Sequence, residues 1–349
     1  MKVLDPIALT KQLVDIESTT YHEGDCGEFL AKHLAELGWE IERQYVAQPE
    51  KTKAPGAGDG PRFNLVATRP GIEPVLFFST HFDTVPPFLG PCREDETHLF
   101  GRGVCDAKGI LAAQVAAAQH LADADLPVGM LFVVGEERDS AGAKMANQKP
   151  RSSSRFLING EPTENKLALA SKGCLRVELY AHGKAAHSAY PELGDSAIDK
   201  LVTALAKIQA LDLPVVEGIG DTTLNVGLLT GGRAPNVIAD KAEAHLLVRL
   251  VGPSEPIRAM VAACCDGLCD VEFSLELPFV QMRALEGFET MVAKYTTDIP
   301  SLTNWGEPFL LGPGTILVAH TPDETIAKQE ILDCVELYVK LAETLLENA

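Results

Sequence analysis

No run of about 18 apolar residues occurs in the 349-residue sequence, so no transmembrane helix is predicted. The first residues do not resemble a secretory signal peptide either, because Asp5 and Pro6 interrupt the chain before an apolar core begins. We therefore expect a protein that acts in the cytoplasm and has no membrane partner.

Paired cysteine motifs are also missing. The sequence contains eight cysteines but no Cys-x-x-Cys pair, and reduced, mostly buried thiols are the usual state in a chain of this length. Cys264, Cys265 and Cys269 are close enough in sequence to be considered as metal ligands. They lie in an alanine-rich, helix-like stretch with no histidine nearby, so we interpret them as packing residues.

Basic residues are scarce relative to acidic ones. Lys and Arg total 30 against 49 Asp and Glu, and the formal net charge of −19 argues against nucleic acid or an anionic membrane as partner. The hydrophobic content of 46% and the charged content of 23% are ordinary for a globular protein, and no internal repeat is present. At roughly 100–200 residues per domain, the length suggests two domains.

Three apolar runs, at 75–80, 130–134 and 156–159, are typical of buried strands. Each is followed by one or two chemically active side chains: His81, the pair Glu136 and Glu137, and Glu161. Strands that alternate with helices predict a mostly parallel sheet covered on both faces. Because such sheets bind ligands beyond the carboxyl ends of their strands, we expect these side chains to meet in one crevice.

A second domain is predicted inside the first. Residues 174–277 follow the order β-α-β-β-α-β, which is the ferredoxin-like arrangement. This insertion explains why the interval from Glu161 to His320 is so much longer than that from Glu137 to Glu161. The predicted fold is therefore α/β, with a doubly covered, mostly parallel sheet domain of residues 1–173 and 286–349 and an inserted ferredoxin-like lid of residues 174–285.

The remaining segments are assigned from local signals. Residues 48–61, rich in Pro, Gly and Lys, are predicted to form a surface loop. An alanine-rich helix is predicted to start directly at Asp106. After residue 286 we expect a helix, a strand near 309–319, and a C-terminal helix from Asp323.

Asp106 and His320 complete a set of two imidazoles and several carboxylates. This set suits zinc, cobalt or manganese better than magnesium or calcium. A single such residue is usually structural or merely exposed, but their joint placement beyond predicted strands indicates a shared site. A metal-dependent hydrolase is the predicted class, and a metal-binding protein without catalysis is the remote alternative.

The sequence motifs resemble those of the co-catalytic dizinc deacylase and exopeptidase family, which includes acetylornithine deacetylase, succinyl-diaminopimelate desuccinylase, aminoacylase and bacterial carboxypeptidase. The matching segments follow one another along essentially the whole chain: 79–86, 101–109, 135–137, 160–163, 183–189, 231–238 and 312–324. The resemblance is specific for the family and much less so for the substrate.

The resemblance implies a centre of two Zn²⁺ ions, with Co²⁺ or Mn²⁺ as substitutes. His81 and Glu161 would hold one ion, Glu137 and His320 would hold the other, and Asp106 would bridge them. Two further carboxylates would act beside this centre. Asp83 would orient the imidazole of His81, and Glu136 would be the general base.

The resemblance also implies functions in and near the lid. His187 would donate a hydrogen bond to the oxyanion from a partner subunit, which implies a homodimer formed through the lids. Asn236 and Arg249 would bind the α-carboxylate of the substrate, and Gly312 and Gly314 would let the backbone approach the substrate closely. The alternatives are a polar turn residue for His187 and a surface or core-rim role for Arg249.

The expected reaction is hydrolysis of the amide bond in a small N-acyl amino acid. Deacetylation of N-acetylornithine to ornithine and acetate, a step of arginine biosynthesis, is the first choice. Deacylation of N-acetylcitrulline or succinyl-diaminopimelate, and dipeptidase or carboxypeptidase cleavage, remain alternatives. We expect residues 302–307 to discriminate between substrate side chains.

Overall fold

The computed structural model of the chain describes residues 4–50 and 60–347, so residues 51–59 of the predicted loop lie outside it. The chain divides into two compact units. The first comprises Met1–Ala168, Met282–Met291 and Thr297–Ala349, and the second comprises Leu169–Gln281 and Val292–Thr296. The second unit thus begins slightly before the lid boundary predicted at residue 174. It also includes the short segment Val292–Thr296, which lies after the predicted end of the lid at residue 285.

Helices and strands, numbered in chain order, are interspersed along the chain. The α-helices of the described residues are α1 (Pro6–Val14), α2 (Gly24–Glu36), α3 (Lys108–Asp123), α4 (Ala141–Asn147), α5 (Ala197–Gln209), α6 (Glu255–Cys265) and α7 (Lys328–Glu347). Their strands are β1 (Glu40–Val46), β2 (Arg62–Thr68), β3 (Leu76–His81), β4 (Arg93–Glu94), β5 (His98–Phe100), β6 (Val128–Val133), β7 (Phe156–Asn159), β8 (Leu167–Ser171), β9 (Gly173–His182), β10 (Val215–Val216), β11 (Gly220–Asp221), β12 (Thr223–Gly231), β13 (Lys241–Leu250), β14 (Asp270–Leu277), β15 (Val280–Gln281), β16 (Thr290–Ala293), β17 (Glu307–Leu310) and β18 (Thr325–Ala327). None of these helices has the length and apolar character needed to cross a membrane.

The first unit is built on a six-stranded sheet with the order β1-β2-β6-β3-β7-β17. Strands β6, β3, β7 and β17 are parallel, and β2 and β1 continue the sheet in antiparallel fashion. Strands β3, β6 and β7 are buried along their whole length, as parallel strands covered on both faces are. Their carboxyl ends lie at one edge of the sheet, which is where the predicted site begins.

Neighbouring residues of β3 show that both faces of this sheet are covered. Phe78 packs in the larger core, to which α1, α2, α3 and α7 contribute. Phe77 points to the opposite face, as successive strand residues do, and packs edge-on against Trp305 with 5.0 Å between ring centroids. The doubly covered, mostly parallel sheet predicted from the sequence is confirmed.

Residues 302–307 contribute to this second face. Leu302 and Trp305 are buried against α4, and the Trp305 indole donates a hydrogen bond to the Ala146 carbonyl at 3.1 Å. The structure therefore uses the centre of this segment for packing, which differs from the expected role in substrate discrimination.

The second unit has the predicted ferredoxin-like fold. Its four-stranded antiparallel sheet has the order β12-β13-β9-β14, and α5 and α6 complete the β-α-β-β-α-β connection. Alternate residues of β9, including Leu175, Val177 and Leu179, are buried in a core shared with both helices. Strand β12 lies at the edge, where Leu228 and Leu229 are exposed.

Several predicted element boundaries after residue 286 are wrong. Within the described residues, β16 and a short 3₁₀ turn at Ile299–Ser301 replace the expected helix. The strand near 309–319 is only Glu307–Leu310, because Pro313 and the positive φ of Gly314 turn the chain away. The C-terminal helix begins at Lys328, since the residues before it pair as β18 with β5.

Candidate functional site

The end of one strand and four loops present the five predicted metal ligands. His81 is the last residue of β3, Glu137 lies in the turn after β6, and Glu161 follows β7. Asp106 lies just before α3, and His320 precedes β18 in the left-handed region with φ of 65°. A residue other than glycine rarely adopts this conformation, and such strained residues cluster at functional sites.

Asp106 occupies the centre of this group. Its Oδ1 lies 3.1 Å from Nε2 of His81, and its Oδ2 lies 3.3 Å from Nε2 of His320. The same His320 nitrogen is 3.0 Å from Oε2 of Glu137. Ligand atoms of His81, Asp106 and Glu137 all lie within 4.8 Å of one another. One carboxylate therefore faces two imidazoles, one with each oxygen.

The imidazoles and carboxylates of this cluster shift one another's pKa values. Hydrogen bonds from His320 and His81 outweigh the effect of burial and hold the pKa of Asp106 well below its usual range. Hydrogen bonds to Asp106 and Glu137 raise the pKa of His320 to about 10. A divalent cation would take the place of such protons between the imidazoles and the carboxylates.

Glu161 is buried beside the cluster, and the positive charge near it does not offset the effect of burial on its pKa. Its Oε1 has no hydrogen-bond partner among the described residues. Burial, with the nearby Asp106 carboxylate, raises its pKa well above the usual range, although His81 opposes this. Positive charge placed here would satisfy the unpartnered oxygen and stabilise the ionised form. The donor set of His81, Asp106, Glu137, Glu161 and His320 therefore fits divalent cations that prefer nitrogen and oxygen ligands.

Asp83 acts on the turn after β6 more directly than on the histidine. Its carboxylate accepts hydrogen bonds from the backbone N–H groups of Gly135, Glu136 and Glu137, at 2.8, 3.1 and 3.3 Å. Nδ1 of His81 lies 2.9 Å from the main-chain oxygen of Asp83 and 3.5 Å from its carboxylate. The imidazole is thus oriented mainly by the Asp83 backbone, whereas the side chain fixes the loop that carries both glutamates.

Glu136 occupies this fixed turn next to the ligand cluster. Burial and the negative charge of Glu161 raise its pKa well above the usual value for a glutamate. A carboxylate with a raised pKa beside a cation site is suited to accept a proton and release it again near neutral pH.

Gly312 and Gly314 are needed for contacts within the chain. A Cβ on Gly312 would lie 2.3 Å from the Glu161 carbonyl oxygen, and one on Gly314 would lie 2.5 Å from Sγ of Cys105. The Gly312 N–H already donates to Oγ1 of Thr163 at 2.9 Å. These glycines therefore permit close packing on the loops that carry Glu161 and Asp106, and their approach to a substrate stays a prediction.

Two of the three lid candidates lie side by side, and the third is remote from them within the same unit. His187 and Asn236 are exposed, and the backbone N–H of Ser188 donates to the Asn236 carbonyl at 3.0 Å. Arg249 lies towards the opposite end of β13 from Ala242, which pairs with Gly231. At about 3.3 Å per residue, Arg249 is roughly 23 Å along the strand from Ala242.

Two buried acids near the cluster were not predicted from the sequence. Burial raises the pKa of Asp298 to about 6, and its charge contributes to the raised pKa values of Glu136 and Glu161. Glu324 accepts hydrogen bonds from the loop that carries Asp106. Glu324 lies at the end of the segment 312–324, so its motif was visible although its partners were not, whereas no sequence signal marked Asp298.

Known proteins resemble this chain in both sequence and fold. A model of the peptidase dimerisation domain matches residues 169–263. A probable carboxypeptidase of Paracoccidioides lutzii is 36% identical over 98% of this chain and 86% of its own length. A tripeptidase of Staphylococcus aureus has a similar fold, with a TM-score of 0.77, 22% identity and 98% coverage of both chains. A dinuclear metal-binding peptidase of the M20 family from Bacillus subtilis gives a TM-score of 0.70 at 16% identity, over 99% of this chain and 98% of its own.

Proposed function

This chain belongs to the M20 family of metallopeptidases, and from that premise we propose that it hydrolyses the amide bond preceding a free C-terminal carboxylate in a short peptide. The observation that carries the chemistry is the carboxylate of Asp106, which faces His81 with one oxygen and His320 with the other. The choice of a C-terminal cleavage is supported by the carboxypeptidase name of the relative that is 36% identical.

We assign the ligands as the sequence motifs suggested. His81 and Glu161 would hold one cation, Glu137 and His320 would hold the other, and Asp106 would contribute to both. We propose Zn²⁺ in both positions, with Co²⁺ or Mn²⁺ as substitutes, because imidazole and carboxylate donors suit these ions. Bound cations of this kind acidify a water molecule and polarise the carbonyl group that it attacks.

Glu136 is the proposed general base. It accepts a proton from the attacking water as the oxygen adds to the carbonyl carbon, and it then donates that proton to the amide nitrogen as the carbon–nitrogen bond breaks. The three backbone hydrogen bonds to Asp83 hold the turn that carries it. This arrangement keeps the base in place without using its own carboxylate, which remains available for the proton.

The second unit supplies the proposed substrate contacts. We propose that His187 donates a hydrogen bond to the developing oxyanion and that Asn236 binds the substrate carboxylate, since the two lie together on an exposed surface. Arg249 remains a candidate substrate contact, but at roughly 23 Å from Ala242 along β13 it would bind a group other than the carboxylate that Asn236 of the same unit holds.

A homodimer formed through the second unit is part of this proposal. The peptidase dimerisation model covers most of this unit. Its edge strand β12 exposes Leu228 and Leu229, and α5 exposes Val202. An edge strand with exposed apolar side chains is a typical surface for pairing with a second copy.

Deacetylation of N-acetylornithine was the more specific expectation from the sequence, and the comparisons do not support it in particular. The peptidase names of the relatives favour peptides, and an N-acyl amino acid presents the same amide bond beside the same carboxylate. We therefore propose peptide cleavage first and retain N-acetylornithine, N-acetylcitrulline and succinyl-diaminopimelate as test substrates.

A matched substrate panel tests this choice. The zinc-loaded enzyme is assayed on free dipeptides, N-blocked dipeptides and tripeptides, each with either a free C-terminal carboxylate or a C-terminal amide, and on the three acyl amino acids. We expect the N-blocked peptides to be cleaved, with kcat/KM at least about 100-fold lower for the amidated forms, because a charged contact is lost. Equal cleavage of the amidated peptides, or cleavage of acyl amino acids alone, would contradict the proposal.

A further inference from the structure

Glu324 makes an unusually complete set of contacts with one loop of the first unit. It is 1% exposed, and its Oε1 accepts hydrogen bonds from the backbone N–H groups of Gly103, Cys105 and Asp106 at 2.9, 3.1 and 3.1 Å. Its Oε2 accepts one from the Arg102 guanidinium at 2.6 Å. The main-chain oxygen of Glu324 also accepts from Gly101 N–H at 3.1 Å.

The loop 101–107 depends on these contacts for its shape. It forms turns between β5 and α3 and is buried along nearly its whole length. Buried backbone N–H groups need acceptors, and a loop of this kind cannot supply all of them from its own carbonyls. Glu324 supplies one oxygen to three of these groups, including that of the central ligand Asp106.

Glu324 also lies four positions after His320 on a separate segment of the chain. The two segments that it joins are separated by 218 residues between Asp106 and Glu324. One side chain therefore ties the backbone of the loop carrying the shared carboxylate to the segment carrying a second predicted ligand. The two ligands also contact each other directly, with 3.3 Å between Oδ2 of Asp106 and Nε2 of His320.

We propose that Glu324 is a positioning residue that holds Asp106 so that its two oxygens are presented to two different cations. The oxygen Oε1 positions the loop by accepting its backbone hydrogen bonds, whereas the negative charge of Glu324 serves mainly to pair with Arg102. Loss of the acceptor would let the loop 101–107 relax, and Asp106 would then bind one cation while the second is held less tightly. This inference rests on the two-cation centre of the proposed function.

Two conservative variants separate acceptor geometry from charge. Glu324→Gln keeps one acceptor oxygen at the same distance from the backbone N–H groups, removes the charge, and replaces the acceptor of Arg102 with an amide NH2 donor. Glu324→Asp keeps the charge but is shorter by one carbon–carbon bond, about 1.5 Å. If positioning by Oε1 is the role, the Gln variant retains the shared-ligand geometry and the Asp variant loses it.

The experiment loads wild-type, Glu324→Ala, Glu324→Gln and Glu324→Asp proteins with Mn²⁺ and measures both binding by calorimetry and the electron paramagnetic resonance spectrum. Exchange coupling between two Mn²⁺ ions reports a shared ligand directly and does not require turnover. We expect coupled spectra for wild type and Glu324→Gln. For the Ala and Asp variants we expect uncoupled spectra and a second Mn²⁺ bound about 10–100-fold more weakly, the usual effect of losing a group that orients a ligand.

A core variant controls for general loss of stability. Leu345→Ala truncates a buried side chain of α7 in the same unit, and its coupled spectrum should persist. Coupling retained in Glu324→Asp and lost in Glu324→Gln would overturn the inference. The charge of Glu324, and not the position of Oε1, would then hold Asp106 in place. Coupling in all variants would also overturn it while leaving the two-cation centre intact. An uncoupled or single-ion spectrum for wild type would overturn the centre and this inference together.

Discussion

The two units of this protein present their candidate functional residues in opposite ways. In the first unit, the side chains of His81, Asp106 and Glu137 are nearly inaccessible, and the half-exposed His320 contacts both Asp106 and Glu137. In the second unit, His187 and Asn236 are exposed on a surface. The first group is preorganised inside one folded unit, whereas the second acquires a function only when a substrate or another surface meets it.

This contrast predicts that substitutions at the site of the first unit change the rate of the chemical step. Replacing Glu136 with Gln should lower kcat by about 100-fold or more, up to about 10⁴-fold, because the proton acceptor is lost. Metal content should remain close to that of wild type, since Glu136 is not a proposed ligand. Rates and metal content are measured on the same zinc-loaded samples.

Glu137 provides the matched control for Glu136, because the two share a turn but differ in role. Glu137→Gln should release or weaken one cation, since the carboxylate contacts His320. If Glu136→Gln instead lost metal while the remaining metal-loaded enzyme kept its turnover, the roles of the two glutamates would be reversed.

The exposed group of the second unit should show a smaller effect on rate. His187→Ala should reduce kcat by about 10²–10³-fold, the usual effect of losing an oxyanion donor, with metal binding unchanged. His182→Ala changes another exposed lid histidine and should leave kcat close to wild type. A loss of metal from His187→Ala would remove the contrast between the units.

Mixing of variants tests whether His187 acts across a dimer. An inactive His187→Ala protein is mixed with an inactive Glu136→Ala protein under conditions that exchange subunits. If His187 serves the partner's site, hybrid dimers contain one site with both groups intact, and activity returns. No recovery after proven exchange would assign His187 to its own chain or to no catalytic role.

The local sequence predicts much of the first group and little of what holds it together. His81, Glu137 and Glu161 could be found because each follows an apolar strand run, and parallel strands end at one edge. The lid was visible because its strand and helix periodicities change in a fixed order. These signals lie within a few residues of the positions they identify.

Contacts between distant segments left no comparable signal. The hydrogen bonds of Glu324 to the 101–107 loop join residues more than 200 positions apart. The close packing of Gly312 on the Glu161 carbonyl depends on how two loops meet after folding. For the same reason Asp83 was expected to orient His81 with its carboxylate, although the folded turn uses that carboxylate for three backbone N–H groups.

Substrate anchoring should give an effect on KM more than on kcat. Asn236→Ala should raise KM for peptides with a free carboxylate by about 10-fold, the loss of roughly one hydrogen bond, and leave kcat nearly unchanged. Arg249→Lys tests the remote position on β13 and should change KM independently if Arg249 is a separate contact. A fall in kcat without a change in KM for Asn236→Ala would place Asn236 in the chemical step instead.

The smallest expected effect is a pH dependence of stability in chelator-treated protein. The pKa of His320 is raised to about 10 by Asp106 and Glu137, whereas an unfolded histidine titrates near 6.5. The folded state therefore holds the proton more tightly, and the resulting stabilisation is complete below about pH 6.5 and is lost as pH rises through about 10. The difference in Tm between wild type and His320→Gln should shrink over this interval.

Zinc-loaded samples provide the control for this titration. Metal binding requires a neutral imidazole, so the wild-type advantage with zinc should not fall over the same pH range until other groups titrate. A wild-type advantage in chelator that stays constant from about pH 6.5 to about pH 10 would show that His320 is not stabilised by the two carboxylates.

The central claim is that Asp106 is shared by two cations held within the first unit. Anomalous diffraction from crystals of the zinc-loaded protein, recorded on both sides of the zinc absorption edge, tests it most directly. We predict two peaks about 3.5 Å apart, the usual separation in two-metal sites, with one Asp106 oxygen next to each. A single peak in this cluster, or two peaks that do not share Asp106, would contradict the account.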